Sequence, residues 1–330
     1  MKIIVTGGAG YIGSHTVVEL LHAGFNPIII DNLSNTDTRN IKGIKKITGK
    51  DVKFYNVDCT DSSSIKSIFE KEKDILALIH FAAFKSVEES LRLPEKYFKN
   101  NIGSLEVILY QMKKHNIDNI IFSSSCTVYG SPEKLPVTES SPFRNPESPY
   151  AETKQKCEEI LKDSSLKSIS LRYFNPIGSH PTGLIGDCSA DRPANLVPII
   201  CEVASKKREN LVVNGNDYNT VDGTCVRDYI HVIDLAKSHV QALKYLLKNN
   251  CKEVFNIGTG QGLSILEIIH NFEKANQVKI NFTFGPRRDG DIDKIYSDNL
   301  KVNKKLKWSS QISINQAMID SWNWQLNKIK

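Results

Sequence analysis

The sequence predicts an α/β protein: a doubly wound parallel sheet with a smaller C-terminal domain. Two observations predict it. β-Branched runs alternate with segments of helical apolar spacing through the first 175 residues. The first strand-to-helix junction also carries three evenly spaced glycines, and an acid ends the next strand.

Residues 2–6 are the first strand-like run. GGAGYIGSHT follows, with Gly7, Gly10 and Gly13 around Tyr11 and Ile12, and VVELLHAG then carries helical spacing as far as Gly24. Glycines permit a tight turn and close approach of backbone to a pyrophosphate, while a helix N-terminus adds free N–H groups and the positive end of a dipole. Residues 27–31 predict a second strand ending at Asp31, 18 residues after Gly13. A carboxylate there accepts hydrogen bonds from the adenosine ribose and repels a 2′-phosphate. Asn32 follows it instead of an arginine, so the pattern points to NAD over NADP.

Further strand-like runs at 52–57, 76–81 and 119–122 are separated by helical segments such as 62–72 and 95–115. Right-handed crossovers make such a sheet parallel, a Rossmann-type arrangement that binds ligands beyond the carboxyl ends of its strands. Asp58 with Cys59, Phe81-Ala82-Ala83 and the serines Ser123, Ser124 and Ser125 all fall there. All three serines are expected to line the site.

In SPYAETKQKCEEILK, Ser148 suits a helix cap and Pro149 the first helical position, placing Tyr150 and Lys154 on one face at i, i+4. A second Tyr-x-x-x-Lys match, Tyr110/Lys114, precedes the serine run and is on the wrong side of it to meet Ser125. A phenol titrates near 10 in water, so a tyrosine base at neutral pH needs its pKa lowered by roughly three units, about 4 kcal/mol. Lys154 supplies part of that, and the positive nicotinamide of NAD⁺ the rest.

After LRYFNP the α/β rhythm weakens into a glycine-, proline- and serine-rich stretch, which places a boundary near 175. Residues 1–175 form the nucleotide domain and 176–330 mainly the substrate domain, with segments near 225–262 expected to return to the first. Arg227 and Arg288 suit a diphosphate, because a guanidinium offers forked donors and permanent charge.

Forty-three basic and 37 acidic residues give +6, spread along the chain as a solvated lysine surface and not as a nucleic-acid face. Seven cysteines without a Cys-x-x-Cys pair argue for free thiols, no metal site and a cytoplasmic protein. No apolar run of about 18 residues occurs, and MKIIVTGGAG enters directly into a strand pattern with no long apolar stretch, so neither a membrane segment nor export is expected.

At these residues the chain resembles the extended short-chain dehydrogenase/reductase family, in which a serine or threonine, a tyrosine and a lysine form the catalytic set. VTGGAGYIGSHT, DNLSN, HFAAFKSVEES, FSSSCTVYG, SPYAETK, LRYFNPIGSHP, ANLVPII, GNDYNTVDGTCVRDYIHV, NIGTGQG, GPRRDGD and SWNWQ carry the resemblance nearly end to end. Within the family it is similar to members that invert C4 of a UDP-hexose with tightly bound NAD. The resemblance implies Ser125, Tyr150 and Lys154 as catalytic residues, and Lys85, Asn100 and Tyr173 as cofactor contacts beside the glycine turn. It further implies Lys85, Asn175, Asn195, Leu196, Arg227, Arg288 and Asp291 as contacts to the UDP-sugar, and a homodimer through the helices flanking the serine strand. Ile295 occupies the position whose size decides whether an N-acetyl group can enter.

Two rivals share the nucleotide fold. A nucleotide-sugar 4,6-dehydratase needs an acid and a base just after the catalytic serine or threonine, where this chain has Cys126 and Thr127. A silent NAD-binding sensor has little need of Ser125, Tyr150 and Lys154 together. His231, Trp322 and Trp324 read as packing residues.

Overall fold

A computed structural model describes residues 1–189, 193, 195–288 and 290–329. The central sheet has seven parallel strands: β1 (Lys2–Thr6), β2 (Asn26–Asp31), β3 (Lys53–Asn56), β4 (Ile75–His80), β5 (Asn119–Ser125), β6 (Lys167–Tyr173) and β7 (Lys252–Ile257). Their spatial order is β7-β6-β5-β4-β1-β2-β3, reversing direction of growth between β1 and β4. The inner strands are buried on both faces and read as unbroken apolar runs, Ile3-Ile4-Val5 and Ile28-Ile29-Ile30 among them.

Helices cover both faces. α1 (Tyr11–His22) packs on α4 (Val232–Lys248) on one side, over a core that includes Ile3, Val5, Val17, Leu20 and Leu243. α2 (Gly103–Lys114) and α3 (Pro149–Asp163) lie on the other, over Ile4, Leu105, Ile108, Phe122 and Leu161. A separate core built from Ile177, Val197, Ile200, Tyr229, Phe272 and Met318 holds the second lobe together. That lobe carries a four-stranded sheet of Asn175–Ile177, Val226–His231, Gly262–Ser264 and Lys294–Ile295, and a parallel pair of Leu211–Asn214 with Phe282–Gly285.

Two details differ from the sequence expectation. β5 runs through Ser125, so the serines are strand residues and alternate in direction. The long helix expected at 95–115 is broken: Pro94–Tyr97 is α-helical, Phe98–Ile102 is a π-turn, and α2 begins at Gly103. The break has a cause. Asn101 turns back to accept from Phe84 N at 2.8 Å and donate to Phe84 O at 3.1 Å, tying the helix to the loop after β4.

Candidate active site

A cavity of about 980 Å³ opens beyond the carboxyl ends of the strands and extends into the second lobe. At its nucleotide end the glycine turn is tight. Gly7 has φ +68°, and a Cβ on it would come within 2.8 Å of Ala82 N. A Cβ on Gly13 would meet Gly7 O at 2.2 Å, so α1 can approach β1 this closely only with glycine there. Gly10 caps α1 with backbone alone, leaving the first-turn N–H groups without a side-chain partner. Tyr11 and Ile12 also line the cavity, and the Tyr11 hydroxyl reaches across to donate to Gly178 O at 2.5 Å.

Asp31 accepts from Ala9 N at 3.1 Å and Leu33 N at 2.9 Å, while burial raises its carboxyl above the ordinary range. Asn32 donates to Asp58 at 2.7 Å; against partial burial, hydrogen bonds from Thr60 and Asn32 keep the Asp58 carboxyl low. Cys59, Phe81, Ala82, Ala83, Lys85, Asn100 and Tyr173 also border the cavity. Sequence reasoning missed Ser34, Asn35 and Thr36, which complete this wall. The Asn35 carbonyl oxygen is buried without a partner, an acceptor that a bound ligand could satisfy. The glycine cradle, the buried acid and this orphan acceptor fit a dinucleotide such as NAD.

Deeper in, Ser125 ends β5 and its hydroxyl accepts from Thr127 N at 3.2 Å. Tyr150 stands at the start of α3, where Ser148 caps the helix by accepting from Ala151 N at 3.2 Å. Lys154, one turn on, donates to Ser123 O at 2.7 Å, and its nitrogen lies 5.9 Å from the centre of the Tyr150 ring. Burial raises the Tyr150 phenol to about 12, the Ser125 hydroxyl acting the other way. Burial lowers the Lys154 ammonium to about 8, opposed by Cys157 and Glu158. Without a bound ligand, then, this site moves the phenol away from ionisation, and a further positive charge is needed beside Lys154.

Ser123 and Ser125 line the cavity, and Ser123 shares a hydrogen bond with the Tyr173 hydroxyl. Ser124 does not line it. It points the opposite way into the protein and donates to Glu158, because successive strand residues face opposite sides. Tyr110 is 62% exposed on the outer surface of α2.

The second lobe brings Asn175, Asn195, Arg227, Arg288, Asp291 and Ile295 to the same cavity. Leu196 is absent from that wall: it begins the helix Leu196–Ala204 and packs into the second-lobe core. Asp291 sits between the two arginines, at 2.6 Å from Arg288 and 3.4 Å from Arg227, so it orients both. Lys85 reaches Asp187 at 3.6 Å across the mouth. Both groups are partly exposed, and such a pair is weak enough to exchange for a ligand. Arg208 and Asn210, unremarked in the sequence, line the far end with Asn214, which stands where the family resemblance implies a larger apolar residue near the uridine.

Among the described residues no group of three or more His, Cys, Asp or Glu is placed to hold a metal ion, and no helix is long and apolar enough to cross a membrane. Phe81, Phe84 and Phe174 contribute apolar wall to the cavity, which Tyr150, Lys154 and Ser125 also line.

A tyrosine and lysine one helical turn apart, facing a serine at the end of the fifth strand of such a sheet, define an extended short-chain dehydrogenase/reductase. A family model described as GDP-mannose 4,6 dehydratase matches residues 4–320. The UDP-glucose 4-epimerase of Bacillus subtilis is 44% identical over 100% of this chain and 98% of its own length. That of Drosophila melanogaster is 46% identical over 98% of this chain and 96% of its own. The crystal structure of the Bifidobacterium longum UDP-glucose 4-epimerase with NAD⁺ and UDP superposes with a TM-score of 0.96 at 42% identity, covering 100% of this chain and 99% of that one. The Stenotrophomonas maltophila enzyme with NAD and a formylated UDP-arabinopyranose gives 0.96 at 40%, with coverage of 100% and 99%. The chain belongs to the UDP-glucose 4-epimerase family.

Proposed function

We propose that the protein interconverts UDP-galactose and UDP-glucose by oxidation at C4, rotation of the sugar and reduction from the other face, with NAD as cofactor. The observation that carries this reading is Tyr150 and Lys154 beside Ser125, with Cys126 and Thr127 next in the chain. A 4,6-dehydratase needs carboxylates at those two places, and the cavity offers a thiol and a hydroxyl instead.

Gly7, Gly10, Gly13, Asp31 and Asn35 hold the dinucleotide, with Lys85 and Asn100 toward its far end. When bound, NAD supplies the acceptor and later the donor of a hydride at the sugar C4. Tyr150, as phenolate, takes the proton of the 4-hydroxyl, and Ser125 hydrogen-bonds to that oxygen as it becomes a carbonyl. Tyr150 keeps the proton while the 4-keto sugar turns over and returns it to the oxygen at the end. Lys154 steadies the phenolate by its charge. Arg227 and Arg288 grip the diphosphate and leave the hexose loose enough to rotate.

Ile295 leaves the width of the hexose site intermediate, so UDP-N-acetylhexosamines are a second substrate class to test. A homodimer through α2 and α3 is what the family resemblance supports. Seven unbridged cysteines support a cytoplasmic setting.

The test is incubation of purified protein with UDP-galactose, and separately with UDP-N-acetylgalactosamine, without added reductant. Appearance of the C4 epimer with no accumulated reduced cofactor supports the reading. Cofactor-loaded protein that forms neither epimer overturns it.

A further inference from the structure

The three serines that end β5 have three different uses. Ser125 faces the cavity, the Ser123 carbonyl receives the Lys154 ammonium, and the hydroxyl of the fully buried Ser124 donates to Glu158. Glu158 lies one turn beyond Lys154 on α3. Helix and strand are therefore bolted together at two points one turn apart: Lys154 on Ser123, and Glu158 on Ser124.

Glu158 is itself held in a fork by Arg172 of β6. Arg172 Nη2 donates to Oε2 at 2.6 Å, and Nε reaches Oε1 at 2.9 Å and Oε2 at 3.1 Å. Both side chains are nearly inaccessible, at 6% and 5%. The guanidinium lies between the rings of Tyr129 and Phe143, at 5.0 and 4.9 Å, and Nη1 donates to the Tyr129 hydroxyl at 3.1 Å. Tyr129 ends the short turn that follows Ser125, and its hydroxyl donates to Asn256 of β7 at 2.5 Å. One connected set of polar groups thus joins α3, β5, β6, β7 and the turn after Ser125.

None of Ser124, Glu158, Arg172 and Tyr129 lines the cavity, so they touch neither cofactor nor sugar. A buried ion pair is also a poor source of stability, since apolar residues of similar volume often serve as well or better. Its place between the sheet and the helix that carries Tyr150 calls for another explanation.

We propose that the Glu158–Arg172 pair is a positioning device that sets the register of α3 on β5, and with it the placement of Tyr150 against Ser125. Glu158, Arg172 and Ser124 are positioning residues. The inference rests on the epimerase reading, because it assigns them to that reaction. It acts by geometry first, since misplacement of reacting groups by about 1 Å can cost on the order of 100-fold in rate.

A charge effect accompanies the geometry. Lys154 is faced by Tyr150, Cys157 and Glu158 on its own helix and by His80 of β4. Arg172 of β6 balances Glu158 and is faced by Tyr129, while Glu106 of α2 faces Cys157. Of these, the Glu158 carboxylate supports the lysine's positive charge against burial, while burial pushes the Cys157 thiol up to about 12 and leaves it neutral near pH 7. Removing the Glu158 carboxylate weakens that support and with it the ionisation of Tyr150.

The experiment compares Ser124→Ala and the charge-neutral double variant Glu158→Met/Arg172→Met with wild type. It measures kcat and KM for UDP-galactose, and the absorbance titration of Tyr150 in NAD-loaded protein, taken as the difference from the same background carrying Tyr150→Phe. Positioning predicts kcat lower by about 10- to 100-fold in the double variant and severalfold in Ser124→Ala, with KM within about twofold. The phenolate titration rises by about one unit in the double variant, a tenfold change in proton affinity.

A folded double variant with wild-type kcat and an unshifted titration overturns the proposal, and so does a kcat loss that merely tracks the unfolded fraction. If the double variant does not fold, Ser124→Ala decides on the same readouts, and wild-type values there overturn the proposal. If wild type itself forms no epimer, the epimerase reading falls, and the titration, which needs no sugar, still decides whether the pair positions Tyr150.

Discussion

Lys154 and Tyr150 share one face of α3, with the ammonium nitrogen 5.9 Å from the centre of the phenol ring and tied to the Ser123 carbonyl at 2.7 Å. The lysine is thereby fixed close enough to act on the phenol by charge, while its own hydrogen bond goes to the backbone. A unit charge at about 6 Å in an effective dielectric near 20 is worth about 2.8 kcal/mol, or about two pKa units.

Replacing Lys154 by methionine keeps the length of the side chain and removes the charge. Turnover of UDP-galactose at neutral pH is expected to fall about 100-fold, and the fall should shrink as pH is raised toward the phenol's own titration. A pH profile of kcat for the variant checks this; a profile parallel to that of wild type would mean the charge does not act on Tyr150.

What the sequence made legible follows from what is periodic in it. Alternating apolar runs and the glycines at 7, 10 and 13 give the parallel sheet and its nucleotide end, because strand burial and a tight turn leave direct marks on residue choice. Ser124 was misread because the strand was ended at residue 122. Carried to Ser125, the two-residue period turns Ser124 away from its neighbours. The π-turn over Asn100 could not be read, since it depends on Asn101 finding Phe84 from another segment. Asp291 between Arg227 and Arg288, and Ser124 on Glu158, are likewise tertiary meetings that no local pattern records.

Asp31 is a buried carboxylate with two backbone N–H partners. Asp31→Asn keeps an acceptor and removes the charge. A hydrogen bond to a charged group is worth about 1.5–3 kcal/mol, so NAD is expected to bind about tenfold more weakly or worse. NADP should bind better, as the repulsion of its 2′-phosphate disappears. Calorimetry on cofactor-stripped protein measures both constants, and an unchanged ratio would remove Asp31 from cofactor choice.

Three buried histidines make the fold sensitive to acid. Burial lowers His15 and His80 to about 3 and His239 to about 4. In the unfolded chain each takes up its proton near 6.5. Their neutral contribution is complete above that value and is lost as pH falls from about 6.5 toward 3, because unfolding binds protons there. At pH 5 each costs about 2 kcal/mol relative to pH 7. Asp31 and Glu19, whose carboxyls burial raises, act in the opposite sense at lower pH. Urea unfolding at a series of pH values should therefore show stability dropping by several kcal/mol between pH 7 and 5. His239→Leu removes a ring nitrogen that has no partner and should lower the slope by one proton; an unaltered slope would show that His239 is already charged in the fold.

Ile295 is 3% exposed and packs with Val128, Tyr129, Val137 and Phe174, yet also borders the cavity. Its strand is paired to Val226–His231 with Ile295 opposite Arg227, so the residue is held in register with that arginine. Ile295→Ser opens space on the cavity side at a stability cost of about 2–4 kcal/mol, because the surrounding core only partly collapses. Ile295→Tyr fills space and strains the same cluster by about 1–3 kcal/mol. Both changes disturb the core, so absolute activity does not separate the two effects. The ratio of kcat/KM for UDP-N-acetylgalactosamine to that for UDP-galactose does, since both substrates are measured on the same folded molecules. The ratio should rise by tenfold or more with serine and fall by tenfold or more with tyrosine, one step of about 1.4 kcal/mol in each direction. Equal ratios across serine, isoleucine and tyrosine would place the N-acetyl group away from this wall, and the width of the hexose site would then have to be set elsewhere along the cavity.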